Sequence, residues 1–191
     1  MIPEIDVSSV TLRTSRLILR PWRQTDLEDF YAYASVSGVG PMAGWNPHEN
    51  REESQRVLDR FISGRKTFAL EYRGRVVGSL GVEGYDEEQY PEFAAQRVRA
   101  LGFVLAKDCW GLGLMPEAAK AVIRWLFEEM DLDLILCGHF LWNRQSLRVQ
   151  EKCGFRHYAY GVFHTKTGKT EDHELRILTR EDWLRLRDKG L

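Results

Sequence analysis

Gly111 and Gly113, set in the run Trp110-Gly111-Leu112-Gly113 and followed at once by a long amphipathic segment, are the residues best placed to do chemistry. Glycines between a strand and a helix N-terminus leave backbone N–H groups unpaired and pointing outward, with the positive end of the helix dipole behind them. Such a turn suits a phosphate or pyrophosphate, so chemistry with a phosphate-bearing cofactor is expected. An ordinary strand–helix connection would use the same two glycines, and a lone Gly-x-Gly does not separate the readings. Further on, Asn143 and Ser146 head a shorter helix, where each could touch a ligand or cap the helix. His139 titrates in the range useful for proton transfer, although a lone strand histidine is more often a packed residue.

The elements that must position these residues follow from periodicity. An apolar strand over residues 101–106 enters the glycine turn, and the helix beyond it carries Met115, Ala119, Val122, Ile123, Leu126 and Met130 at helical spacing. Glu117, Lys120, Arg124 and Glu128 fall on its outer side, and Pro116 fits its first turn, where a missing N–H costs nothing. A strand over residues 132–140 and a helix closing at Cys153-Gly154-Phe155 complete this central unit. Upstream, residues 11–21 alternate as one strand, a helix runs from Asp26 to Tyr33, and another covers residues 52–64. Residues 68–72 and 76–84 form a hairpin around Arg73-Gly74-Arg75. Residues 36–50, rich in glycine and proline, read as a loop, and the acid-rich residues 85–97 as a mobile excursion. Strands at 159–163 and 174–178 flank Thr167-Gly168-Lys169, and Thr179 opens a closing helix. Helices interrupting a mostly antiparallel sheet make this an α/β or α+β chain, one domain over residues 1–191.

Composition removes several function classes. The 191 residues carry 27 Lys and Arg against 28 Asp and Glu, so no positive field recruits nucleic acid or an anionic membrane. Three cysteines, Cys109, Cys137 and Cys153, without a CxxC pair favour free thiols in a reducing compartment. Pro3, Glu4 and Asp6 break any leader-like apolar run, and no segment approaches the roughly 20 apolar residues of a membrane span. A cytoplasmic location is expected. His48, His139, His157, His164 and His173 show no metal-ligand spacing, so no metal is expected. No Gly-Lys-Ser/Thr follows the glycines, and the turn lacks the third glycine of a dinucleotide fold.

Four motifs in order carry a resemblance. Thr14-Ser15-Arg16-Leu17-Ile18-Leu19-Arg20, Trp110-Gly111-Leu112-Gly113-Leu114-Met115-Pro116-Glu117-Ala118, Asn143-Arg144-Gln145-Ser146 and the closure Lys152-Cys153-Gly154-Phe155 resemble the GNAT family of N-acetyltransferases. The likeness covers residues 12–183 and is strongest to the branch containing the ribosomal-protein alanine N-acetyltransferases. It implies a single-domain fold with a mixed, mostly antiparallel sheet of about seven strands, helices on both faces, and central strands splayed at the cofactor site. It implies acetyl-CoA as donor and a primary amine as acceptor, either a protein N-terminus or a small molecule.

By that resemblance, the backbone of Cys109, Trp110, Gly111, Leu112, Gly113 and Leu114 would hold the CoA pyrophosphate. Phe103, Val104 and Leu105 would flank the pantetheine arm as a neighbouring strand, and Asn143 would hydrogen-bond it. The family usually begins the turn with Arg or Gln where this chain has Asp108, and it places a tyrosine where this chain has Gln150. Ser146 is then the candidate acid for the leaving thiolate, or else satisfies a first-turn N–H of its helix. A glutamate common in related chains is Ala100 here, so Glu83, His139 or Glu174, or a water chain, could act as base. Acceptor choice should come from residues 36–50 and 85–97, where Trp45, His48 and Tyr85 would wall the acceptor site, unless these segments are surface decoration. A homodimer through Phe140, Trp142 and residues 159–163 is possible on this reading, as is their use as core. The rival class is a CoA-binding module without activity, favoured by the missing tyrosine and by Ala100; the intact turn and Ser146 speak for catalysis, since positioning supplies much of this chemistry.

Overall fold

The alternation over residues 11–21 gives two strands in the computed structural model, β1 (Leu12–Arg13) and β2 (Leu17–Pro21), rather than one. Thr14 makes the break: its N–H donates to the Leu17 carbonyl, and its Oγ1 accepts the Leu17 N–H at 3.0 Å. The structure describes residues 3–189, so the outermost two residues at each end of the expected domain lie outside it. The other elements are α1 (Leu27–Ala34), α2 (Arg51–Gly64), β3 (Thr67–Tyr72), β4 (Arg75–Glu83), β5 (Val98–Leu105) and α3 (Leu114–Glu128). Then come β6 (Leu134–Phe140), α4 (Arg144–Lys152), β7 (Arg156–His164), β8 (Thr170–Thr179) and α5 (Arg180–Asp188).

Among the described residues eight strands, one more than expected, form one sheet in the order β1-β2-β3-β4-β5-β6-β8-β7. Every pair is antiparallel except β5 with β6. Helices cover both faces. Phe68 and Leu80 are cross-strand partners on one face, where Phe68 meets Trp125 of α3 edge-on at 5.7 Å. The next pair, Ala69 and Ser79, points to the opposite face, where α1 packs on β4. Helix α3 buries Leu114, Met115, Ala118, Ala119, Val122, Ile123, Trp125, Leu126 and Phe127. At about 1.5–3 kcal/mol for each large side chain fully buried, this helix is a principal anchor of the fold.

Local chemistry sets the ends of the elements. Asn50 caps α2 by accepting the Glu53 N–H, and Thr179 caps α5 by accepting that of Asp182. Arg73 and Gly74 both adopt positive φ in a two-residue hairpin, so Arg75 opens β4 instead of closing the turn. Asp26 stands at the N-cap position of α1 but makes no side-chain cap bond; it ends a short 3-10 turn, buried, accepting two bonds from Arg20 at 2.9 Å and the Arg23 N–H at 2.8 Å. The stretch 85–97, expected to be mobile, folds back on the sheet. Its Phe93 is buried with Val98, Leu134, Leu136, Leu175 and Ile177 in a second core, and the acids that made it read as an excursion lie on its outer side. Strand β7 is the sheet edge, with Tyr160, Val162 and Phe163 exposed; Phe140 is buried, stacked on an exposed Trp142. Among the described residues no helix is long and apolar enough to cross a membrane.

Candidate active site

The parallel strands β5 and β6 pair only from Val98↔Leu134 to Leu101↔Cys137. Beyond that rung β5 runs on to Leu105 and β6 to Phe140 without pairing to each other, so the sheet splits. Backbone groups of Gly102–Leu105 on the open side, apart from the Leu105 carbonyl that Trp110 takes, are therefore offered to a guest strand, while β4 pairs their other side. A cavity of about 360 Å³ fills the split. Its walls include Phe103, Val104 and Leu105 from β5, Cys109, Trp110, Gly111, Gly113 and Leu114 from the turn, and Asn143 and Ser146 from α4. These expected donor-site residues converge on one space; Leu112 stands apart, 46% exposed on the outer side of the turn.

The turn is shaped for an anion. Gly111 and Gly113 have φ of 77° and 76°, a region that a residue with a Cβ enters at a cost. Gly113 is the N-cap of α3, and no side chain caps this helix, so its first N–H groups face the cavity without a side-chain acceptor. Trp110 closes the turn by donating from Nε1 to the Leu105 carbonyl at 2.8 Å. Asp108 turns away, exposed and 3.9 Å from Arg75. Cys109 is buried, and burial together with Asp108 raises its thiol pKa, so it stays a neutral packing residue.

At the head of α4 the two candidate roles separate. Asn143 is the cap: its Oδ1 accepts the Ser146 N–H at 3.0 Å, and its Nδ2 donates to the Met42 carbonyl at 3.0 Å. One N–H and one lone pair of that amide remain free. The Ser146 hydroxyl caps nothing; Oγ accepts from Gln150 Nε2 at 3.1 Å, and Gln150 also donates to the Gly138 carbonyl at 3.2 Å. With one lone pair so occupied, the Ser146 proton is free to point into the cavity.

The three base candidates lie elsewhere. Glu83 ends β4 opposite Ala100, half-exposed, 3.6 Å from Lys66. His139 is buried, its Nε2 3.4 Å from Glu174, and burial lowers its pKa despite that carboxylate. Glu174 is buried too, held by His157 at 2.9 Å and Arg176 at 3.0 Å. None of the three lines the cavity. Of the expected acceptor walls, Trp45 and His48 lie together, while Tyr85 is set apart in the second core. His48 is buried, Nδ1 2.7 Å from the Ser54 hydroxyl, with its ring against Phe30 and Trp45. Trp45 is half-buried rather than exposed, and Tyr85 packs on Phe93 with its hydroxyl buried.

Sequence reading passed over Val39 and Met42, from the segment taken as a loop, and Gln145, Arg148, Val149 and Lys152, all of which line the cavity. The spacing of the last four, i, i+3, i+4 and i+7 from Gln145, marks one face of α4 and was available. A second groove of about 900 Å³ adjoins the first at Gly113, Pro116 and Lys152. Arg13, Lys120, Arg124, Lys152 and Arg187 rim it, with Ile123, Trp183 and Leu186 contributing apolar surface.

Comparison with known proteins agrees with this geometry. An FsC-acetyl coenzyme A-N(2)-transacetylase of Aspergillus fumigatus is 32% identical over 93 residues, 47% of this chain and 40% of that protein. The [ribosomal protein uS5]-alanine N-acetyltransferase of Escherichia coli is 30% identical over 84 residues, 44% of this chain and 43% of that enzyme. The chain thus spans less than half the length of these curated relatives. The crystal structure of a GNAT-family acetyltransferase from Bacillus anthracis superposes with a TM-score of 0.78 at 23% identity, covering 90% of this chain and 99% of that one, a likeness of fold. The family model of the acetyltransferase (GNAT) domain matches residues 16–156. With split central strands, a glycine turn at an uncapped helix and a matching family model, this chain belongs to the GNAT acetyltransferase family.

Proposed function

We propose that this chain is an acetyl-CoA-dependent N-acetyltransferase that moves an acetyl group to a primary amine by direct attack in a ternary complex. One observation carries the reading: the gap between β5 and β6 leads straight to the uncapped N-terminus of α3, so a strand-like arm ending in a diphosphate fits both at once. The pantetheine amides pair with the free edge of Gly102–Leu105, the diphosphate lies on the N–H groups of the turn, and the nucleotide end extends over the basic groove. Asn143 uses its remaining amide valences on the arm.

Attack of a neutral amine on a thioester needs no covalent enzyme intermediate. The C–N bond forms at the acetyl carbon, the C–S bond breaks, and the amine proton leaves to solvent or a water chain. Ser146 donates a hydrogen bond to the departing thiolate, which carries most charge late in the reaction. None of His139, Glu83 and Glu174 lines the cavity, which supports a water chain as the base. The acceptor is a protein N-terminus or a small amine, the former supported by the likeness to the ribosomal-protein enzyme. The exposed apolar side chains of edge strand β7 support a homodimer, which light scattering tests. The functional test is release of free thiol from acetyl-CoA over a panel of amines and N-terminal peptides; absence of both turnover and CoA binding would overturn the reading.

A further inference from the structure

The diphosphate turn is held from outside by the first hairpin of the chain. Arg16, between β1 and β2, donates from Nη1 to the Leu112 carbonyl at 2.9 Å. Its Nε donates to Glu117 Oε2 at 2.8 Å and its backbone N–H to Oε1 at 2.9 Å. Thr14 donates its hydroxyl to the same Oε1 at 2.6 Å. Burial acts to raise the Glu117 carboxyl pKa, but these bonds outweigh it and hold the group below its ordinary value. Residues about 100 positions apart thus form one closed set of contacts across β1, β2, the turn and α3.

We infer that Arg16, anchored by Glu117, is a positioning residue for the diphosphate of the donor. In a trans peptide the carbonyl of one residue and the N–H of the next point in opposite directions. Fixing the Leu112 carbonyl on Arg16 at the outer side therefore turns the Gly113 N–H toward the cavity, consistent with Gly113 lining it while Leu112 does not. The same contacts neutralise a carboxylate one turn into the helix whose N-terminus receives the anion. Unpaired, Glu117 would repel a diphosphate there. The guanidinium also brings a fixed positive charge beside Gly113, whose added Cβ would lie 3.6 Å from Nη2. That charge matters in a turn that begins with Asp108 where the family usually carries Arg or Gln.

The inference rests on the acetyl-CoA reading and is separable from it by comparing two ligands. Calorimetry of the full chain with CoA and with pantetheine, which lacks the diphosphate, is performed on wild type, Arg16→Ala and Glu117→Gln. Arg16→Ala is expected to weaken CoA at least tenfold, about 1.4 kcal/mol, with pantetheine affinity unchanged. Glu117→Gln loses the anchor but also the charge that would repel the diphosphate, so it should weaken CoA less than Arg16→Ala does, and as selectively. Should the alanine variant fail to fold by circular dichroism, Arg16→Lys gives the same comparison, keeping the charge and losing the fork, with at least a threefold selective loss. Equal losses for both ligands, or none, would show a role in folding alone and overturn the inference while leaving the donor reading intact. No CoA binding by wild type would overturn both.

Discussion

Ser146→Ala tests the chemistry at one atom. The structure assigns the helix cap to Asn143, so removing the Ser146 hydroxyl leaves α4 capped. Gln150 Nε2 loses one of two acceptors and keeps the Gly138 carbonyl, so the folding cost should stay within about 0.5–1.5 kcal/mol. If the hydroxyl bonds the departing thiolate, its loss falls on the transition state. A hydrogen bond to a charged group contributes about 1.5–3 kcal/mol, which corresponds to a drop in kcat of roughly 10- to 100-fold with little change in donor affinity. Steady-state kinetics with the best amine from the thiol-release panel, beside a melting curve, measures both quantities. Asn143→Ala serves as the contrast: it removes the cap and the tie to Met42, and should cost about 1–2 kcal/mol of stability. A Ser146→Ala enzyme with full kcat would refute the assignment, since no structural role of that hydroxyl remains large enough to mask a catalytic one.

Gly113→Val, placing a β-branched residue at φ 76°, should cost about 1–2 kcal/mol in folding and raise the CoA dissociation constant at least tenfold, about 1.4 kcal/mol; unchanged affinity by calorimetry in the folded variant would falsify the placement of the diphosphate. Asp26→Ala should cost about 3 kcal/mol or more in urea unfolding, because it leaves the buried Arg20 with Glu71 as its one carboxylate. Burial holds His48, His139 and His173 below the ordinary histidine pKa, so the unfolded chain takes up their protons first as pH falls. Stability present above pH about 6.5 should thus fall below it, by up to about 1.4 kcal/mol per pH unit for each histidine until its folded pKa is passed. Urea midpoints that stay flat from pH 7.5 to 5.5 would contradict this.

How far the sequence could be read tracks the range of the interactions involved. Helix α3 and the hairpin at Arg73-Gly74 are written in local periodicity and local turn chemistry, and both are found within a residue or two of their expected places. The eighth strand was missed because Thr14 ends β1 through a bond to Leu17 that leaves the alternation of residues 11–21 undisturbed. Residues 85–97 were misread for the opposite reason. Their composition is polar, and what orders them is the contact of Phe93 and Tyr85 with strands far along the chain, which no window reveals.

The site divides in the same way. Its backbone parts, a turn needing glycine and a strand edge needing only apolar neighbours, are legible because the chemistry demands particular residue types at fixed offsets. Its side-chain parts are not. His48 and Tyr85 have the polar-tipped rings that acceptor walls use, yet the same rings fill cores, and here packing uses them. Arg16 shows the reverse case. A surface arginine in an alternating strand reads as a solvated charge, and only the meeting of Thr14, Leu112 and Glu117 around it reveals a function for that charge. The departure from family pattern at Asp108 was visible in the sequence, but where a replacement cation would come from was not. Charge near a phosphate site can arrive from any element that folds there, so an absent local cation calls for a search in space rather than along the chain.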